Sequence, residues 1–139
     1  IENDEYTFGL DECLGLGDLV PIVLDIHHHW VNSGEYIQPT DPRIALVIKS
    51  WRGVVPTMHY SNSQEHIWID NYRNTQPDYQ LLLESGVKRQ HLRAHSDFYN
   101  NTALNDWALS HSSWADIMAE SKSKNLGAAQ LYEQRLRSA

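Results

Sequence analysis

The sequence predicts an α/β fold in which strands alternate with helices around a parallel sheet, about half of an eight-unit barrel. Three observations carry that reading. Four short apolar segments are separated by stretches of helical character, and the residues able to ligate a metal fall at the C-terminal ends of those segments or just after them. In an α/β barrel, that rim is where active sites are built. The third observation is length: a full (βα)8 barrel takes about 250 residues, and this chain of 139 residues has room for about four βα units. The expected fold class is therefore of the (βα)8 TIM-barrel type, with the C-terminal four units present as a half-barrel.

The elements follow in order. A first strand is expected at Ile1 to Asn3, opening without a lead-in, and a second at Ile22 to Ile26 after Pro21. Asp41 before Pro42 supplies an N-cap followed by proline at the first helical position, and Ile44, Val47, Ile48 and Trp51 then share one helix face up to Gly53. The third strand is expected at Val54 to Tyr60. Residues 62–93 form a long excursion, with Pro77 and Gly86 as breakers and room for a helix at Tyr79 to Ser85. Asn105 is expected to cap a helix running through Ser113, with Trp107, Leu109 and Trp114 as its apolar members. A fourth strand is expected at Ala115 to Ala119. From Ser121 onward Leu126, Ala129, Gln130 and Leu131 read as a closing helix whose dipole suits Arg135 and Arg137.

Composition bounds the function. With 41% hydrophobic residues the chain can build one core, so residues 1–139 are read as one domain. A formal net charge of −7 argues against a broad electrostatic footprint for nucleic acid unless bound cations offset it. The single Cys13 excludes an intrachain disulfide and a thiolate zinc site, and suits a cytoplasmic protein. No apolar run approaches the roughly 20 residues of a membrane span, and no membrane association is expected.

The strand ends collect Glu2, Asp25, His28, His59, His95 and Glu120. Three carboxylates and three imidazoles form a mixed oxygen and nitrogen set suited to Zn, Mn or Fe. Asp25 and His28 stand three positions apart at the tip of one strand, where both side chains can converge on one ion.

Five segments also carry a family resemblance: Ile1-Glu2-Asn3-Asp4-Glu5, Leu24-Asp25-Ile26-His27-His28-His29, Pro56-Thr57-Met58-His59-Tyr60-Ser61, Arg93-Ala94-His95-Ser96-Asp97 and Asp116 through Lys124. Their order resembles the successive C-terminal-half motifs of the UV damage endonucleases, TIM-barrel phosphodiesterases related to endonuclease IV and the xylose isomerase-like barrels. The resemblance implies a bridging role for Glu2, one ion held by Asp25, His59 and Glu120, and a neighbouring ion held by His28 and His95. It implies divalent ions, Mn or Zn, one to three in number, and damaged double-stranded DNA as substrate. His27 is expected to point away. Thr57 departs from the family, many members of which carry a lysine there, and the histidine ligands of the family's N-terminal half have no counterpart in this chain.

On this reading the activity is hydrolysis of a phosphodiester next to a UV or abasic lesion, with metal-bound water as the nucleophile. Three residues are candidates for substrate contact. Lys122 could meet a phosphate or stay solvated; Arg93 could hold a phosphate or pair with Asp97; Tyr6 could stack on a base. The competing readings are a sugar isomerase or epimerase on the same barrel, and an inactive half-barrel that self-associates or awaits its missing N-terminal half. The isolated half chain is expected to have weak activity at most.

Overall fold

A computed structural model describes residues 1–68 and 73–138, so residues 69–72 of the expected excursion lie outside the described residues. Strand β1 (Leu24–Asp25), strand β2 (Thr57–Tyr60) and strand β3 (Asp116–Ala119) form one parallel sheet in the order β1-β2-β3. Neighbours in space are neighbours in sequence, which is the progression of a barrel wall and lacks the reversal of a doubly wound sheet. The segment expected as a first strand is reduced to a parallel bridge between Glu2 and Val23, beside β1.

All the strands are shorter than their apolar runs. Val54 and Val55 are 64% and 60% exposed and belong to the turn made by Gly53, whose φ is 89°. Pairing begins only at Thr57, after Pro56, which has no N–H to give and contributes its carbonyl to Asp116 N at 2.9 Å.

The second strand ends early because a helix begins inside its expected span. Helix α1 (Leu10–Leu14) precedes β1, and helix α2 (Ile26–Ser33) follows it directly. Asp25 is the N-cap of α2, its Oδ1 accepting from His28 N at 2.8 Å. Gly34 closes α2 at φ 77°, where a Cβ would strike the Tyr79 ring.

Helix α3 (Pro42–Ser50) has the expected Asp41 cap and N-terminal proline. Ile44 and Val47 are buried, while Ile48 is 39% exposed and lies off the packed face. Ser50 ties α3 to the sheet, accepting from Ile22 N at 2.9 Å.

In the excursion lie helix α4 (Tyr79–Glu84), close to the expected position, and the short helix α5 (Arg89–Leu92). Helix α6 (Thr102–Ser110) is capped by Asn101, which corrects the expected Asn105 cap. Asn105 is buried instead: it accepts from Tyr60 Oη at 2.8 Å and donates to Tyr99 O at 2.9 Å and Gln134 Oε1 at 2.8 Å. Helix α7 (Asn125–Ser138) starts later than Ser121 and buries Gly127, Leu131 and Gln134, leaving Leu126 63% exposed.

Alternation along the strands sorts the two faces of the sheet. Met58 and Tyr60 are fully buried in the apolar cluster that also contains Leu24, Trp30, Leu92 and Tyr99. The opposite face carries Thr57, His59 and, on β3, the half-exposed Met118. Among the described residues, no helix is long and apolar enough to cross a membrane.

Candidate metal centre

Register explains why four distant residues meet. Val23, bridged to Glu2, lies two residues before Asp25; Asp25 pairs with His59, His59 with Met118, and Glu120 lies two residues beyond Met118. Side chains two apart on a strand share a face, so Glu2, Asp25, His59 and Glu120 project to one side at the C-terminal ends of their strands. Ligating atoms from all four lie within 4.8 Å of one another.

His59 Nδ1 is 3.1 Å from Glu2 Oε1 and 3.7 Å from Glu120 Oε1. The Glu2 carboxylate beside it raises the His59 imidazole above its ordinary value, against the pull of burial. Reciprocally, the His59 contact holds Glu2 below the usual carboxylate range, opposed by its own partial burial.

Asp25 is the deepest member, with no exposed surface. Burial pushes its carboxyl well above the ordinary value, and repulsion from Glu2 and Glu120 adds to the rise. Asn3 clamps its backbone from both sides, with Asn3 Nδ2 donating to Asp25 O at 3.0 Å and Asp25 N donating to Asn3 Oδ1 at 2.8 Å. The sequence reading missed this role of Asn3. Asp25 Oδ2 has no hydrogen-bond partner. A buried carboxylate oxygen without a donor, facing two carboxylates and an imidazole, fits a divalent cation in donor type as well as in charge.

His28 sits in the first turn of α2, not on a strand. Its Nδ1 is 2.9 Å from Asn3 O and 3.5 Å from both Glu2 Oε1 and Asp25 Oδ2. His95 comes from the far end of the excursion, where an antiparallel bridge to Ser63 draws it back beside β2. Burial lowers the His95 imidazole, and Glu120 partly offsets this. His27 turns into the core: its Nε2 is 3.0 Å from Leu92 O, and burial takes its pKa down to about 3. His29 leaves the cluster altogether and meets Glu35 Oε2 at 2.7 Å.

The substrate-contact candidates are not members of the four-residue cluster. Arg93 pairs with Glu5, Nε to Oε1 at 2.8 Å, and so corrects the expected Asp97 pair. Its guanidinium also lies over the Tyr6 ring at 5.5 Å, with Arg89 at 5.8 Å from the same ring. Tyr6 is held in a turn by Asp4, whose carboxylate accepts the backbone N–H groups of Tyr6, Thr7 and Phe8. Lys122 lines an open cleft with Glu65, His66, Asp97 and Asn100.

Fold and site together define a parallel α/β protein with an imidazole and carboxylate cluster at its strand ends that could hold a divalent ion. Comparison with known proteins is more specific. The family model described as UV-endonuclease UvdE matches residues 1–138, and the chain belongs to that family. A UV DNA damage endonuclease of Bacillus mycoides (strain KBAB4) is 25% identical over 140 residues, covering 94% of this chain and 36% of the relative. One from Bacillus cereus (strain B4264) is 24% identical over 139 residues, covering 96% of this chain and 37% of the relative. The crystal structure of SacUVDE matches with a TM-score of 0.62 at 24% identity, over 98% of this chain and 38% of that one. The chain thus spans a little over a third of the length of the curated relatives it matches.

Proposed function

We propose that this chain supplies the C-terminal half of a (βα)8 barrel in a metal-dependent DNA repair endonuclease, which hydrolyses a phosphodiester beside a UV or abasic lesion. The observation that carries the reading is the convergence of Glu2, Asp25, His59 and Glu120 in a chain of the UV-endonuclease family. Family membership also favours hydrolysis of nucleic acid over sugar isomerisation.

In this reading Asp25, His59 and Glu120 would hold one Mn or Zn ion, with Glu2 as the ligand between it and a neighbouring ion that His28 and His95 would hold. Bound divalent ions lower the pKa of a coordinated water toward about 7 and neutralise charge on the phosphate oxygens. The chain's own residues do the positioning. Asn3 fixes the Asp25 backbone, and the cap bond from His28 N to Asp25 Oδ1 fixes one carboxylate oxygen. Arg93, more than half exposed, and the exposed Lys122 are the candidates for phosphate contact in this reading, while Tyr6 offers a ring face already used by two guanidinium groups. Metal charge offsets the net −7 of the chain where the DNA backbone approaches.

The test is nicking of UV-irradiated or abasic duplex by the complete barrel, with its N-terminal half, loaded with Mn2+ or Zn2+ and set against a Glu120→Gln variant. Metal-dependent nicking that the variant loses supports the reading; no nicking, or nicking unchanged by the variant, overturns it.

The same proposal includes pairing at the sheet edges. Strand β3 ends the sheet, Met118 is 50% exposed, and Ile1 is 48% exposed beside the Glu2 bridge. An open parallel edge is a template for further strands; we expect the N-terminal half of the barrel to occupy it in the complete enzyme, and a second copy to do so, as a dimer or larger assembly, for this chain alone. A stable monomer by light scattering at micromolar concentration would contradict this.

A further inference from the structure

We propose that Glu5 is a metal ligand that shares an ion with His28, separate from the ion assigned to Asp25, His59 and Glu120. The inference rests on the metal-centre reading above and adds a residue to it. Glu5 is 7% exposed although it lies in an irregular segment, outside any helix or strand. Burying a carboxylate in such a place is costly unless something compensates its charge.

Arg93 compensates one oxygen only. Its Nε forms an ion pair with Glu5 Oε1 at 2.8 Å, while Glu5 Oε2 faces His28 Nε2 at 3.7 Å. That second distance is too long for a hydrogen bond. It is close to the spacing of two ligands on a common ion, since bonds of about 2.1 Å at angles of 90 to 120° place their atoms roughly 3 to 3.6 Å apart.

The orientation of His28 points the same way. Its Nδ1 is 2.9 Å from the Asn3 carbonyl, which can only accept, so Nδ1 carries the hydrogen and, in the neutral ring, Nε2 presents its lone pair toward Glu5. A ligating histidine that donates its other ring N–H to a backbone carbonyl is the usual arrangement around bound metals. His95, drawn beside β2 by its bridge to Ser63, is the other imidazole assigned to this ion in the reading above. An imidazole facing a carboxylate is a donor pair that suits Zn or Mn.

The alternative is that Glu5 and Arg93 form a structural ion pair and nothing more. Metal content after equilibration with Zn2+, and affinities from Mn2+ titration calorimetry, separate the two. Wild type is expected to hold at least two ions. Glu5→Gln should lose one or bind it about 10- to 100-fold more weakly, with the other ion retained, and Arg93→Ala should keep both. Glu5→Asp preserves the charge facing Arg93 but shortens its reach by one methylene; it should weaken the same ion and serves if Glu5→Gln fails to fold. Wild-type stoichiometry and affinity in both Glu5 variants would overturn the inference while leaving the metal centre intact. Equal losses in Glu5→Gln and Arg93→Ala would also overturn it, and a wild type that binds no ion would overturn both readings.

Discussion

His59 Nδ1 stands 3.1 Å from Glu2 Oε1, across 57 residues of sequence. Each group shifts the other toward its charged form, which favours imidazolium beside carboxylate in the metal-free pair. A cation entering the site competes with a proton on His59. Affinity for Zn2+ or Mn2+ should therefore fall as pH is lowered from 8 to 6, with proton release on binding, measurable by calorimetry in buffers of different ionisation enthalpy. Glu2→Gln should weaken binding by about 10-fold or more and remove most of the upward displacement of His59, readable in a histidine titration by NMR.

Asn105 joins strand β2 to helix α7 through buried hydrogen bonds to Tyr60 and Gln134, with Tyr99 as a third partner. Truncation strands several of these groups away from water. Asn105→Ala is expected to cost about 2 to 4 kcal/mol, since each buried unsatisfied group costs roughly 1 to 3, as a loss of stability in denaturant titration. Equal stability of the variant and wild type would contradict the buried role.

Gly34 ends α2 at φ 77°, against the Tyr79 ring. Gly34→Ala combines a left-handed backbone with a steric clash, and should destabilise by about 1 to 3 kcal/mol. Pairing it with Tyr79→Ala should recover the steric part alone, which thermal unfolding of the double variant would report.

His111 is fully buried, with Nε2 at 3.0 Å from Ile37 O and Nδ1 accepting from Trp114 Nε1 at 2.9 Å. Burial holds its pKa below the ordinary 6.5, with the Ile37 carbonyl opposing. The folded state thus favours the neutral ring. Its contribution to stability is fully present above 6.5 and declines as pH falls through the depressed folded value. His111→Gln should lower stability at pH 8 and flatten the decline on acidification, in melting curves taken between pH 8 and 5.

The ligand-type residues were legible because their chemistry sits at the ends of apolar runs, and the parallel register accounts for the meeting of Glu2, Asp25, His59 and Glu120. Helix α2 was not legible. Ile26-His27-His28-His29 has no strong helical preference, and the apolar run before it reads smoothly as strand, yet the Asp25 cap and Gly34 stop set its bounds. The choice between Asn101 and Asn105 as cap for α6 depended on tertiary contacts: both are good caps, and only the partners on Tyr60 and Gln134 draw Asn105 inside. Glu5 was hidden for a similar reason, since an acidic residue near the start of a chain looks solvated until Arg93 and His28 are placed around it.

Asp25 divides its two oxygens between different tasks, Oδ1 closing the first turn of α2 and Oδ2 left without a partner in the cluster. An asparagine there could keep its carbonyl on the helix and turn an amide N–H2 toward the cluster. Asp25→Asn is thereby a separation-of-function substitution, one that spares the scaffold while replacing an acceptor for cations by a donor that repels them.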